Sequence, residues 1–86
     1  MSNTSSATVS EVIQTHYEGL TRAERQLAES LLANYPVSGL GSITTVAENA
    51  GVSTPTVARM VQKLGYKGYP EFQASLHQEL EATISN

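Results

Sequence analysis

ITTVAENAGVSTPTVARMVQKL, residues 43–64, holds two short helical patterns separated by a glycine. Ser42 is suited to cap a helix over about 43–50, because its hydroxyl can accept from a free first-turn amide. Gly51 ends that helix. Ser53 caps the next one, and Pro55 sits in its first turn, where a missing N–H costs nothing. The second helix runs to Leu64, with Gly65 as the left-handed residue just past its end. Two helices that cross closely need a small residue at the crossing, and Ala47 supplies it. The turn needs a residue tolerant of a left-handed backbone, and Gly51 supplies that four positions later. Val46, Ala50, Val52, Val57, Met60, Val61 and Leu64 are spaced to bury one continuous face. Small residue, glycine and apolar positions agree in one register, which is the pattern of a helix-turn-helix. The bland alternative is an αα-hairpin that serves only as scaffold.

The outward positions of the second helix argue against pure scaffold. With Val57, Val61 and Leu64 inward, the spacing turns Thr54, Pro55, Thr56, Ala58 and Arg59 outward, followed by Gln62 and Lys63. Arg59 can form a bidentate contact with guanine, and a threonine methyl or Ala58 can meet a thymine methyl. Ser53 and Thr54 stand at a helix start, where amides and hydroxyls suit a phosphate. Lys63 and Lys67 are better placed for backbone charge than for bases. The expected DNA contacts are therefore Ser53, Thr54, Pro55, Thr56, Ala58, Arg59, Gln62, Lys63 and Lys67.

Charge is distributed to match. The 86-residue chain carries a net −3. Residues 51–69 hold Arg59, Lys63 and Lys67 and no acid, while the segments before and after are each acidic. For nucleic-acid binding the local distribution matters more than the sum.

Working outward, the rest of the chain also reads as helix. Val9, Val12, Ile13, His16, Tyr17 and Leu20 form one apolar face, predicting a first helix over about 8–18 with Gly19 near its end. Thr21-Arg-Ala-Glu24 has the form of a capping box. The helix it opens carries Leu27, Ala28, Leu31, Leu32 and Tyr35, and Pro36 stops it. Residues 36–41 form a loop. Past Gly65, a short loop leads to Pro70, which opens a fifth helix with Phe72, Leu76, Leu80 and Ile84 as its stripe. Tyr66, Tyr69 and Phe72 are spaced to close the bundle beneath the fourth helix, although aromatics beside Lys67 can also stack on bases. Gly68 is expected to take a backbone angle that a side chain resists, with Lys67 reaching a phosphate from the loop. The fold class is all-α, a five-helix bundle containing a homeodomain-like helix-turn-helix. The predicted boundaries are a disordered N-terminal tail over 1–7 and one domain over 8–84.

Several motifs together resemble the RpiR family of bacterial regulators. Leu20-Thr-Arg-Ala-Glu-Arg-Gln-Leu-Ala28 is similar to its LTxxExxIA opening. Ser42-Ile-Thr-Thr-Val-Ala47 is similar to its helix before the turn. Gly51-Val-Ser-Thr-Pro-Thr-Val-Ala-Arg59 is similar to its GVSxxTVxR turn. Lys63-Leu-Gly-Tyr-Lys-Gly-Tyr-Pro-Glu-Phe72 is similar to its KLGFKGFPEF signature. The resemblance spans about residues 9–80. Pro55 departs from the usual Glu, Ala or Ser, which trims one base or phosphate contact.

The resemblance implies an N-terminal DNA-binding domain joined to a C-terminal sugar isomerase domain that senses phosphosugars. It implies regulation of sugar or amino-sugar metabolism genes, and a homodimer or larger oligomer on a double-stranded operator. The chain stops soon after the fifth helix. It is therefore expected to be a fragment lacking the effector domain, with any phosphosugar acting only through that absent part.

Other classes fare worse. The chain has no cysteine, which excludes disulfides and thiolate metal sites. No apolar run approaches the roughly 20 residues of a membrane span. The start, MSNTSSATVS, lacks the basic and apolar regions of a signal peptide, so a cytoplasmic location without membrane association is expected. His16 reads as a core-edge side chain and His77 as a solvated one. His77 and Glu81 share a face, but two ligands do not make a metal site. No nucleophile–base pair or phosphate loop is present, so no enzyme activity, metal or cofactor is predicted. The remaining rival is a helical protein-interaction or dimerisation module that does not read DNA, using apolar residues such as Leu76 or Ile84 on the outer faces of the first and fifth helices.

Overall fold

The computed structural model describes residues 8–35 and 37–84, with the side chains of 83 and 84 left undescribed. The predicted disordered tail, the role of Pro36 and the packing of Ile84 lie outside what is described. The described residues form five α-helices: α1 (Val9–His16), α2 (Arg22–Ala33), α3 (Ile43–Ala50), α4 (Thr54–Lys63) and α5 (Tyr69–Ile84). Short 3-10 turns at Tyr17–Gly19 and Val37–Gly39 follow the first two. No strand is present among the described residues. None of their helices is long and apolar enough to cross a membrane.

The first four helices each begin where a side chain can satisfy a free amide. Thr8 and Thr21 both form complete capping boxes, with Glu11 and Glu24 returning the bond. Ser42 caps α3 and Ser53 caps α4, each accepting from the amide three residues on. The first helix is shorter than its periodicity predicts. After His16 the chain tightens into the 3-10 turn, and Leu20 is buried beyond it.

α2, α3 and α4 pack on one another as the central three-helix unit, and α5 lies against α4, α1 and the Val37–Gly39 turn. The shared core is Val9, Ile13, Leu20, Leu27, Ala28, Leu31, Val46, Ala47, Ala50, Val57, Met60, Val61, Leu64, Phe72 and Leu76. Tyr66, Tyr69 and Phe72 do close the bundle. Phe72 is buried, with the Tyr66 ring edge-on at 5.6 Å and the Tyr69 ring tilted at 5.8 Å.

Three expectations need correction. His16 is exposed, its Nδ1 lying 2.9 Å from the Val12 carbonyl oxygen, because the chain leaves helical geometry right after it. Gly68 has no positive φ, and a Cβ there would meet nothing nearer than Pro70 Cδ at 3.7 Å. Its carbonyl accepts the first helical bond of α5, from Phe72, a position open to most residues. Leu76 is buried rather than left on an outer face. Val37 is the large hydrophobic residue that stands exposed among the described ones. Among the described residues, no large hydrophobic side chain of α1 or α5 is exposed.

Candidate nucleic-acid interface

The turn between α3 and α4 is built by its carbonyl partners. Gly51 is left-handed at φ 74° and ψ 31°. Its N–H donates to the Glu48 carbonyl at 3.1 Å, and the Val52 N–H donates to Ala47 at 3.0 Å. That pair of bonds is a Schellman motif, with Val52 falling where its side chain can cover Ala47. α4 ends the same way: Gly65 (φ 103°) donates to Gln62 and Tyr66 donates to Val61. Ala47 is buried at the crossing, as the spacing demanded.

Gln26 of α2 is a positioning residue that sequence reading missed. Its Nε2 donates to the Ala50 carbonyl at 2.7 Å, with Gly51 O at 3.4 Å. It thereby satisfies a carbonyl that the end of α3 leaves free. No local pattern could reveal it, since donor and acceptor are 24 residues apart.

The solvent face of α4 differs from the expected one in one place. Ser53, Pro55, Arg59 and Gln62 are exposed, Thr54 and Ala58 are half-buried, and Lys67 is exposed on the following loop. Arg59 forms no ion pair among the described residues. Thr56 is buried instead of outward. The Ser53 hydroxyl accepts from the Thr56 amide at 3.3 Å and lies 3.0 Å from its hydroxyl, which draws the side chain back over the cap. The buried stripe thus widens to Thr56, Val57, Met60, Val61 and Leu64.

Lys63 is exposed, as expected, and is also engaged within the fold. Its Nζ donates to Glu24 Oε1 at 2.7 Å and to the Gly19 carbonyl at 3.3 Å. Glu24 is fully buried, and the same oxygen accepts from the Thr21 amide at 2.9 Å. Burial pushes the Glu24 carboxyl up, but the hydrogen bonds from Lys63 and Thr21 and the ammonium charge outweigh it and hold it below its ordinary value. Lys63 therefore braces α4 against the start of α2, its ammonium paired with a carboxylate while the side chain stays exposed. The capping-box spacing exposed the local role of Glu24, while its second role as a counter-ion depends on how α2 and α4 cross.

A family model described as a helix-turn-helix domain of the rpiR family matches residues 7–83. The HTH-type transcriptional regulator HexR of Pseudomonas aeruginosa is 41% identical over 70 residues, covering 81% of this chain and 25% of that protein. HexR of Escherichia coli is 39% identical over 70 residues, covering 81% and 24%. The bifunctional protein glk of Paraburkholderia xenovorans is 40% identical over 81 residues, covering 93% of this chain and 12% of its own length. The chain thus spans about a quarter or less of the length of these relatives. No solved structure matches it. With the turn, both caps and the aromatic closure in register, and with the family model covering nearly all of its length, the chain belongs to the rpiR family of helix-turn-helix domains.

Proposed function

We propose that this domain binds duplex DNA as the reading head of a bacterial transcription regulator. α4 enters the major groove, Arg59 reads a base edge, and Gln62, Thr54 and Ala58 line the same groove. Ser53 at the start of α4 and Lys67 on the loop after it hold phosphates. Thr56 and Lys63 have no direct part. The observation that carries the reading is the exposed, unpaired Arg59 on a helix whose opposite face and both ends are rigidly seated. Family membership and the printed names of the transcriptional regulators support it.

The domain works as a homodimer in the cytoplasm, placing two copies of α4 about 34 Å apart on successive grooves. A domain of 36 × 24 × 22 Å is of a size to sit side by side at that spacing. Its targets are sugar or phosphosugar metabolism genes, and a C-terminal sugar isomerase-type domain supplies the phosphosugar response, as the family resemblance implies. The domain itself performs no catalysis. Selection of bound duplexes from a random library tests the reading. A consensus with two half-sites, whose affinity falls with salt, is the expected result. Failure to enrich any sequence at low salt would overturn it and leave the protein-interaction module in its place.

A further inference from the structure

The loop that leads into α3 is held by side chains of α5. Three consecutive carbonyl oxygens, those of Gly39, Leu40 and Gly41, face Tyr69 and Gln73. The Tyr69 hydroxyl donates to Gly41 O at 2.7 Å, with Gly39 O at 3.3 Å. Gln73 Nε2 lies 2.7 Å from Leu40 O and 3.5 Å from Gly39 O, and also donates to Gly41 O. An amide nitrogen brings two hydrogens and a phenol brings one, so three donor hydrogens meet three carbonyls. Burial pushes the Tyr69 phenol up, only partly offset by Gln73, which keeps it an O–H donor. The loop also runs close against α5, since a Cβ at Gly39 would overlap Leu76 Cδ1. The next residue, Ser42, is the N-cap of α3, with its carbonyl accepting from Val46 and its hydroxyl from Thr45.

We infer that Tyr69 and Gln73 are positioning residues for DNA reading. They set where α3 begins and so the angle at which the helix-turn-helix is presented, and they make α5 the element through which that angle is adjusted. The inference rests on the proposed function for its consequence on DNA and on this structure alone for its geometry. It differs from a packing role because it requires donor hydrogens at position 73, not volume.

Three substitutions separate the two. Gln73→Met keeps the bulk and removes the donors. Gln73→Glu replaces them with an acceptor that repels the carbonyls. Gln73→Lys restores donors on an unbranched stem. Tyr69→Phe is the milder variant, losing one donor of three. Amide exchange is read in α3 and in α4 of the whole chain, along with affinity for the duplex that the wild type selects. The expected order is wild type and Lys together, then Met, then Glu. Faster exchange is confined to the first turn of α3, and the affinity loss is roughly 2- to 30-fold for Met and Glu. Met behaving as wild type would overturn the inference, as would Lys behaving as Met. Equal acceleration in α3 and α4 for every variant, Tyr69→Phe included, would reduce the clamp to general stability. Should the wild type select no duplex, the proposed function fails, and the exchange pattern still decides whether the clamp positions α3.

Discussion

Arg59 and Lys63 sit one helical turn apart on α4, yet only one has its charge free. Arg59 is exposed and has no ion-pair partner among the described residues, so its guanidinium fork is available to a base. Arg59→Ala is expected to lose about 1–3 kcal/mol of binding and to relax preference at one base position, with the melting temperature unchanged. Competition between selected and single-mismatch duplexes checks this. Lys63→Ala is expected to behave in the opposite way. It strips the counter-charge from a buried carboxylate, at a cost of about 1–3 kcal/mol of stability, and leaves the salt slope of binding as it was. Denaturant titration beside salt titration reads both. The acid limb follows from the same pair. The folded value for Glu24 is depressed, so its contribution is fully present above its ordinary 4.5 and is lost as pH falls through the folded value. Glu24→Gln should therefore flatten the loss of stability below about pH 4.5, as an acid titration followed by circular dichroism would show.

Among the elements, the two glycines near α4 make opposite demands. Gly51 is left-handed, and a Cβ there would stand 3.0 Å from Gln26 Nε2. Gly51→Ala is expected to cost about 1–2 kcal/mol for the backbone and to disturb the Gln26 bond that closes α3. Gly68→Ala is expected to cost less, about 0.5–1 kcal/mol for the poorer N-cap, since its φ is ordinary and the space is open. Thermal melts of the two variants side by side test the contrast. The capping box of α2 and the caps of α3 and α4 are legible because a cap is a contact across three residues. Thr56 was misread for a related reason. Helical periodicity assigns a face from spacing alone, whereas the Ser53 hydroxyl pulls the side chain inward by a bond that the period does not contain.

For the whole molecule, the net charge of −3 opposes long-range attraction to DNA, so binding rests on a few local contacts. With Lys63 turned to Glu24, each copy offers Arg59 and Lys67 along the proposed interface. A dimer neutralising two to four phosphates gives a log–log salt slope of roughly −2 to −4. Lys67→Ala should make that slope shallower by about 1.8 for a dimer and about 0.9 for a monomer, so one salt titration also reports the stoichiometry.

The pattern of residues 43–64 by itself determined the helix-turn-helix. Its requirements are short-range: a cap, a small crossing residue, a left-handed glycine and an apolar period, each within one or two turns of the next. The same is true of the aromatic closure at Tyr66, Tyr69 and Phe72. The tertiary structure decided what those helices are braced against. Gln26 on the turn, Glu24 on Lys63, and Tyr69 with Gln73 on the loop before α3 join residues 24 to 39 positions apart. A polar side chain reads the same in sequence whether it meets water or a carbonyl on another helix. Only the crossing of the helices settles which, and here it set Lys63 against the buried Glu24.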